Sequence, residues 1–134
     1  KLTTIVRHLR VSFPDLGFTA FASKLDPGAF RTVIHCERCR EIETDQGVVL
    51  EADFKLEGTE TRTLRFNDFF SKEFKSSFGE KEKRFCVKTT IKIGKKKIKS
   101  SVSLTDRSDM KFQVLIGRKT LLRKFVVDVS KKFA

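Results

Sequence analysis

The sequence predicts a small all-β domain, a closed or nearly closed barrel with one short helix. Three observations carry that prediction. Apolar residues recur at every second position over long stretches from Val48 onward, which is the period of a half-buried strand. The tip Gly94-Lys95-Lys96-Lys97 joins two such runs into a hairpin. Only residues 118–124, directly after Gly117, read as a helix. With 134 residues and 39% apolar content, the chain suits one domain over residues 1–134 with a single core.

In chain order, the apolar segment Ala20-Phe21-Ala22 leads into Leu25-Asp26-Pro27-Gly28-Ala29, and Thr32-Val33-Ile34 leads out. Pro fixes φ and Gly permits positive φ, so this is a tight turn between two strands. Asp26 is its lone carboxylate. Such an acid commonly serves the turn itself; the functional reading is a carboxylate held at the lip of a core for acid/base work. His35 and Cys36 follow as neighbours. On a strand, adjacent side chains point to opposite faces, so they cannot act as base and nucleophile together. No Gly-x-Ser-x-Gly elbow is present, and His35 reads as a packed structural histidine.

Further along, Val48, Leu50, Ala52, Phe54 and Leu56 alternate with Val49, Glu51, Asp53 and Lys55. Residues 57–74 are the least patterned part, a long excursion with one strand near 62–66. Phe85, Val87, Thr89, Ile91 and Ile93 form the next strand, and Ile98, Ser100, Val102 and Leu104 its hairpin partner. Strands at 112–116 and 125–129 bracket the helix.

Three cysteines, an odd number, argue against a disulfide framework. Cys36-x-x-Cys39 invites a zinc reading, but a structural site usually takes four ligands. Beyond the adjacent His35, only Cys86 and His8 remain as Cys or His candidates, and no His-Glu-x-x-His occurs. The expectation is reduced thiols, no metal and no cofactor. No apolar run is long enough to span a bilayer and the N-terminal residues carry no secretory pattern, so the reading is a soluble, cytoplasmic protein with no membrane partner. The net charge of +12, from 29 basic and 17 acidic residues, favours a polyanion: nucleic acid, an anionic surface or an acidic peptide. The basic residues are dispersed and no RNA-binding signature occurs, which leaves nucleic acid as an alternative that is not favoured. Fourteen Phe with no Tyr or Trp is a bias without a physical account.

Six stretches occur in an order that resembles a known family: Phe13-Pro14-Asp15-Leu16-Gly17, Lys24-Leu25-Asp26-Pro27-Gly28-Ala29, Ile34-His35, Lys75-Ser76-Ser77-Phe78-Gly79-Glu80, Leu104-Thr105-Asp106-Arg107-Ser108-Asp109-Met110 and Leu115-Ile116-Gly117-Arg118. They resemble the retropepsin-like aspartic peptidases, and within them the bacterial branch labelled ATP-dependent zinc proteases. The resemblance spans nearly the whole chain. The metal in that label has no support in the residues.

The resemblance implies an acid-protease barrel and a hydrolase that cleaves peptide bonds with water. Catalysis needs two carboxylates sharing one proton, and one Asp26 per chain therefore implies a homodimer with a symmetric pair. Pro27, Gly28 and Ala29 would complete the active-site turn, with His35, Gly117 and Arg118 as structural support. Ser76, Ser77, Phe78 and Gly79 fall where the family carries the tip of its flap, a hairpin that covers substrate. Relatives of this branch are associated with ligases that add glutamates to proteins, which suggests peptide or protein substrates with acidic, glutamate-rich tails. One departure stands out: Pro27 occupies a position where such sites usually carry Thr or Ser. It keeps open a peptide-binding relative of weak or no activity.

Overall fold

The computed structural model describes residues 3–56, 58–75, 78–122 and 125–128. Twelve strands and one α-helix are defined there: β1 Thr3–Val6, β2 His8–Phe13, β3 Phe18–Leu25, β4 Thr32–His35, β5 Arg38–Thr44, β6 Gly47–Phe54, β7 Arg62–Phe66, β8 Phe70–Lys75, β9 Lys81–Ile93, β10 Lys96–Thr105, β11 Val114–Ile116, α1 Arg118–Leu121 and β12 Phe125–Asp128. Six of them close into a barrel. The order β10-β4-β11-β3-β2-β9 returns to β10 through the long β9–β10 hairpin, and β8 adds an outer edge on β9. Closure leaves no free edge within the ring.

Period-two patterning explains the wall. Leu9, Val11 and Phe13 of β2 are buried, as are Val87, Thr89, Ile91 and Ile93 of β9 and Ile98, Ser100, Val102 and Leu104 of β10. Between β2 and β3, a single 3-10 turn at Pro14–Leu16 ends on Gly17, whose φ of 77° suits a residue without Cβ. A second sheet, β5-β6-β7, packs against the barrel. Leu50, Ala52, Phe54 and Leu56 are fully buried there, and the Phe54 ring meets Phe18 edge-on at 5.9 Å. Arg62 fastens this sheet to the barrel corner: its guanidinium lies 5.1 Å over the Phe18 ring and donates to the Leu16 carbonyl at 2.8 Å. A third, two-stranded sheet pairs β1 with β12 in parallel.

The barrel and the short helix after Gly117 agree with the sequence-based expectation. Some details differ. The excursion at 57–74 holds a second strand, β8, besides β7; β8 is an outer strand paired only with β9, so it needs no buried face of its own. Val48 is 46% exposed and Val49 is buried; the buried alternation starts only at Leu50, since Val48 lies at the strand end beside the Asp45-Gln46 turn. Leu122 departs from helical dihedrals after Leu121; positions 123, 124 and 129 lie outside the described residues. Among the described residues, no helix is long and apolar enough to cross a membrane.

Candidate active site

Two parallel strands, β3 and β11, end side by side with Ile116 opposite Leu25. The chain leaves the barrel wall there at Asp26, whose N–H still donates to the Ile116 carbonyl at 3.0 Å. The Ala29 N–H closes the turn on the Asp26 carbonyl at 3.1 Å. The Gly28 N–H donates to Asp26 Oδ1 at 2.9 Å and so fixes the direction of the carboxylate. A Cβ on Gly28 would sit 3.2 Å from that same oxygen, so any other residue here would press on the carboxylate. The carboxylate is half-buried.

Helix α1 braces the turn from behind. The N–H groups of Arg118 and Lys119 have no partner within so short a helix, and they donate to the carbonyls of Ala29 and Phe30 at 2.9 and 2.8 Å. That approach leaves no space at Gly117, where a Cβ would lie 2.4 Å from the Arg31 carbonyl carbon. Arg118 adds a side-chain tie, its Nη1 donating to the Pro27 carbonyl at 2.7 Å. Beneath them runs a buried hydroxyl chain. Thr32 Oγ1 accepts the Gly117 N–H at 3.1 Å and lies 2.7 Å from Thr120 Oγ1, which donates to Ser100 Oγ at 3.2 Å. Each hydroxyl has one proton, so Thr32 donates to Thr120.

His35 lies at the end of β4 and is 1% exposed. Its Nδ1 accepts the backbone N–H of Arg107 at 2.8 Å, which pins the loop after β10. In that loop the Ser108 hydroxyl and N–H bind Asp106 Oδ1 at 2.7 and 3.0 Å. The hydroxyl bond first, then the backbone bond, hold the Asp106 carboxyl below its ordinary value of 3.8. Arg107 donates through Nε to the Phe112 carbonyl at 3.1 Å. Burial pushes its guanidinium below its usual value; the nearby Arg84 adds to this and Asp26 opposes it. A buried histidine thus fixes the backbone of the loop that carries Arg107.

Two grooves flank the turn. One, of about 420 Å³, is mainly apolar and is lined by Leu25, Pro27, Leu121, Leu122, Phe125 and Val127, with Asp26, Arg7 and Arg118 as its polar members. The other, of about 370 Å³, runs past Gly28 and Ala29 and carries Arg31, Arg84 and Arg118. Arg31 also donates to Ser101 Oγ at 3.1 Å and lies 5.4 Å from the rings of both Phe30 and Phe70. The β8–β9 hairpin, opened by the pair Lys75 and Lys81, carries Phe78 at 92% exposure and Gly79 at a φ of 83°. Ser76 and Ser77 lie outside the described residues.

The structure therefore gathers Asp26, Pro27, Gly28, Ala29, Gly117 and Arg118 in one place, while His35 holds the loop after β10. Sequence reading did not single out Arg7, Arg31 and Arg84, which line the grooves. Arg31 directly follows the turn and could have been found; the other two come from separate elements without a local signal. Cys36 and Cys39 have Sγ atoms 3.1 Å apart, and among the described residues no group of three or more His, Cys, Asp or Glu is gathered for a metal ion.

A probable alpha-L-glutamate ligase of Shewanella pealeana is 28% identical over 125 residues, covering 91% of this chain and 27% of that protein. Another, of Desulfotalea psychrophila, is 27% identical over 120 residues, covering 87% of this chain and 26% of that protein. The chain thus spans about a quarter of the length of these relatives. The crystal structure of the Legionella pneumophila protein Lpg0085, of unknown function, superposes with a TM-score of 0.76 over 100% of this chain and 98% of that one, at 23% identity; it shows a shared fold. The profile described as RimB-like, retropepsin-like aspartic endopeptidase RimB, matches residues 7–134, so the chain belongs to the RimB-like family of retropepsin-like aspartic endopeptidases.

Proposed function

We propose that this chain supplies one half of an aspartic endopeptidase site, completed when two copies bring their Asp26 carboxylates together. One observation carries the reading: the Asp26 carboxylate is oriented by the Gly28 N–H at 2.9 Å, on a turn tied to α1, at the meeting of two grooves. In the completed site one carboxylate takes a proton from water while the other gives its proton to the substrate carbonyl. A second copy fits the apolar groove, where Leu122 is 65% exposed beside Asp26 and would be covered by association. The groove with Arg31, Arg84 and Arg118 suits carboxylate side chains of the peptide, because guanidinium groups bind them with two parallel hydrogen bonds. Glutamate-rich tails are thus the favoured substrate, in keeping with the glutamate ligases in which similar segments occur.

The test is a glutamate-rich peptide incubated with the wild type and with Asp26→Asn. The variant keeps the shape of the turn and removes the proton carrier, so cleavage should vanish while the melting temperature stays near that of the wild type. Wild-type activity should rise more steeply than linearly with protein concentration where dimers dissociate, and should be greatest at mildly acidic pH, where the pair shares one proton. Cleavage by Asp26→Asn would end the reading. A second reading, peptide binding without cleavage, is favoured by Pro27 in place of a hydroxyl residue; it is recognised by peptide binding with no product from the wild type.

A further inference from the structure

The Asp26 site leaves one reactive pair unused. Cys36 follows β4 of the barrel and Cys39 lies in β5 of the outer sheet, so the two flank the corner between them. Their Sγ atoms are 3.1 Å apart. Cys36 is 3% exposed, whereas Cys39 is half-buried. The corner is pinned by backbone bonds, from the Cys36 N–H to the Thr105 carbonyl and from the Glu37 N–H to the Asp53 carbonyl, each at 2.9 Å. Cys86, the third thiol, is fully buried and its Sγ lies 3.6 Å from Ser103 Oγ.

We propose that Cys36 and Cys39 form a dithiol modification site that exchanges with a small-molecule disulfide of the glutathione type. Cys39 is the attacking sulfur. The contact with the Cys36 sulfur holds its proton affinity below the ordinary thiol value of 9.0, while the same contact, followed by burial, pushes Cys36 up. Thiolate character at the more accessible sulfur is what such exchange requires. In the first step the Cys39 thiolate attacks one sulfur of the reagent, the reagent's S–S bond breaks, and one thiolate leaves. In the second the Cys36 thiol gives up its proton and attacks Cys39 Sγ, expelling the other half of the reagent. Two protein thiols are oxidised, one disulfide is reduced to two thiols, and the bond closes over about 1 Å of sulfur movement. The loop closed is very short, so the link adds little through chain entropy; its effect is to fix the corner between barrel strand and outer sheet.

The experiment equilibrates the whole chain with reduced and oxidised glutathione over a series of ratios, followed by intact mass and free-thiol titration. Oxidation should remove about two mass units and leave one titratable thiol, with peptide mapping joining Cys36 to Cys39. Cys36→Ser should stop at a stable mixed disulfide on Cys39, and Cys39→Ser should form neither product. The wild-type map decides the matter even if a variant fails to fold. Three free thiols at ratios that oxidise ordinary vicinal dithiols would overturn the proposal, and so would an adduct mapped to Cys86.

Discussion

Gly117 shows how little freedom the site leaves at the level of a single residue. A methyl group there would meet backbone atoms of Arg31 and Phe30 at 2.4 to 2.7 Å, and backbone cannot swing aside as a side chain can. Gly117→Ala should therefore cost more than about 2 kcal/mol and pull α1 away from the Ala29 and Phe30 carbonyls. Denaturant melts would register that loss, and a variant as stable as the wild type would show that the helix is not seated as described. Pro27 makes a subtler case. It lacks the hydroxyl usual at this position, yet its φ is fixed by its ring and its carbonyl is held by Arg118 at 2.7 Å. The turn already has its brace, so Pro27→Thr should change peptide cleavage little, whereas Arg118→Met should reduce it sharply with a smaller effect on stability. A large gain from Pro27→Thr would mean that the missing hydroxyl limits the site.

The outer sheet β5-β6-β7 is stabilised differently from the barrel. Across it, Arg40 reaches both Glu51 and Asp53, Arg65 donates to Glu51 at 2.9 Å and Thr63 to Asp53 at 2.7 Å. Arg65, then Arg40, hold the Glu51 carboxyl below its ordinary 4.5; Arg40, then Thr63, hold Asp53 below 3.8. Both folded values lie below the unfolded ones. Their contribution to stability is complete above about pH 5 and is lost as the pH falls through the folded values. Melting temperatures should thus fall in acid, and the gap between the wild type and Arg40→Met should narrow as the pH drops from about 5 to about 2. A gap that stays constant would remove these pairs as its cause. The same sheet explains part of what the sequence did not reveal. In β5, Arg38–Thr44, only Cys39 and Ile42 are apolar, and the strand is held by cross-strand charges to β6, so it has no hydrophobic period to read. Strands β1 and β12 pair with each other from opposite ends of the chain, which no local pattern encodes. By contrast, the β9–β10 hairpin and the Asp26 turn were legible because each is a local device, an alternation or a Pro-Gly step. Arg84 of β9 reaches the groove beside the turn only through barrel closure, and the sequence carries no mark of that.

On the proposed function, the charge of the whole molecule ties assembly to substrate binding. Each chain carries +12, so two copies meeting across the Asp26 groove repel one another, and added salt should strengthen their association by screening. An acidic peptide is attracted by the same charge, and salt should weaken its capture. The two effects oppose each other. At protein concentrations near the dimer dissociation range, cleavage of a glutamate-rich peptide should first rise and then fall with ionic strength; well above that range only the fall should remain. Nucleic acid, the other polyanion, should bind without sequence preference and release steeply with salt, since the dispersed lysines offer phosphate contacts and no base readout. Sedimentation in parallel with cleavage separates the terms: the dimer fraction should grow across the salt range in which the rate passes its maximum. A dimer fraction that falls with salt would show that the interface is itself held by opposite charges, and the apolar groove around Leu122 and Phe125 would then not be where the copies meet.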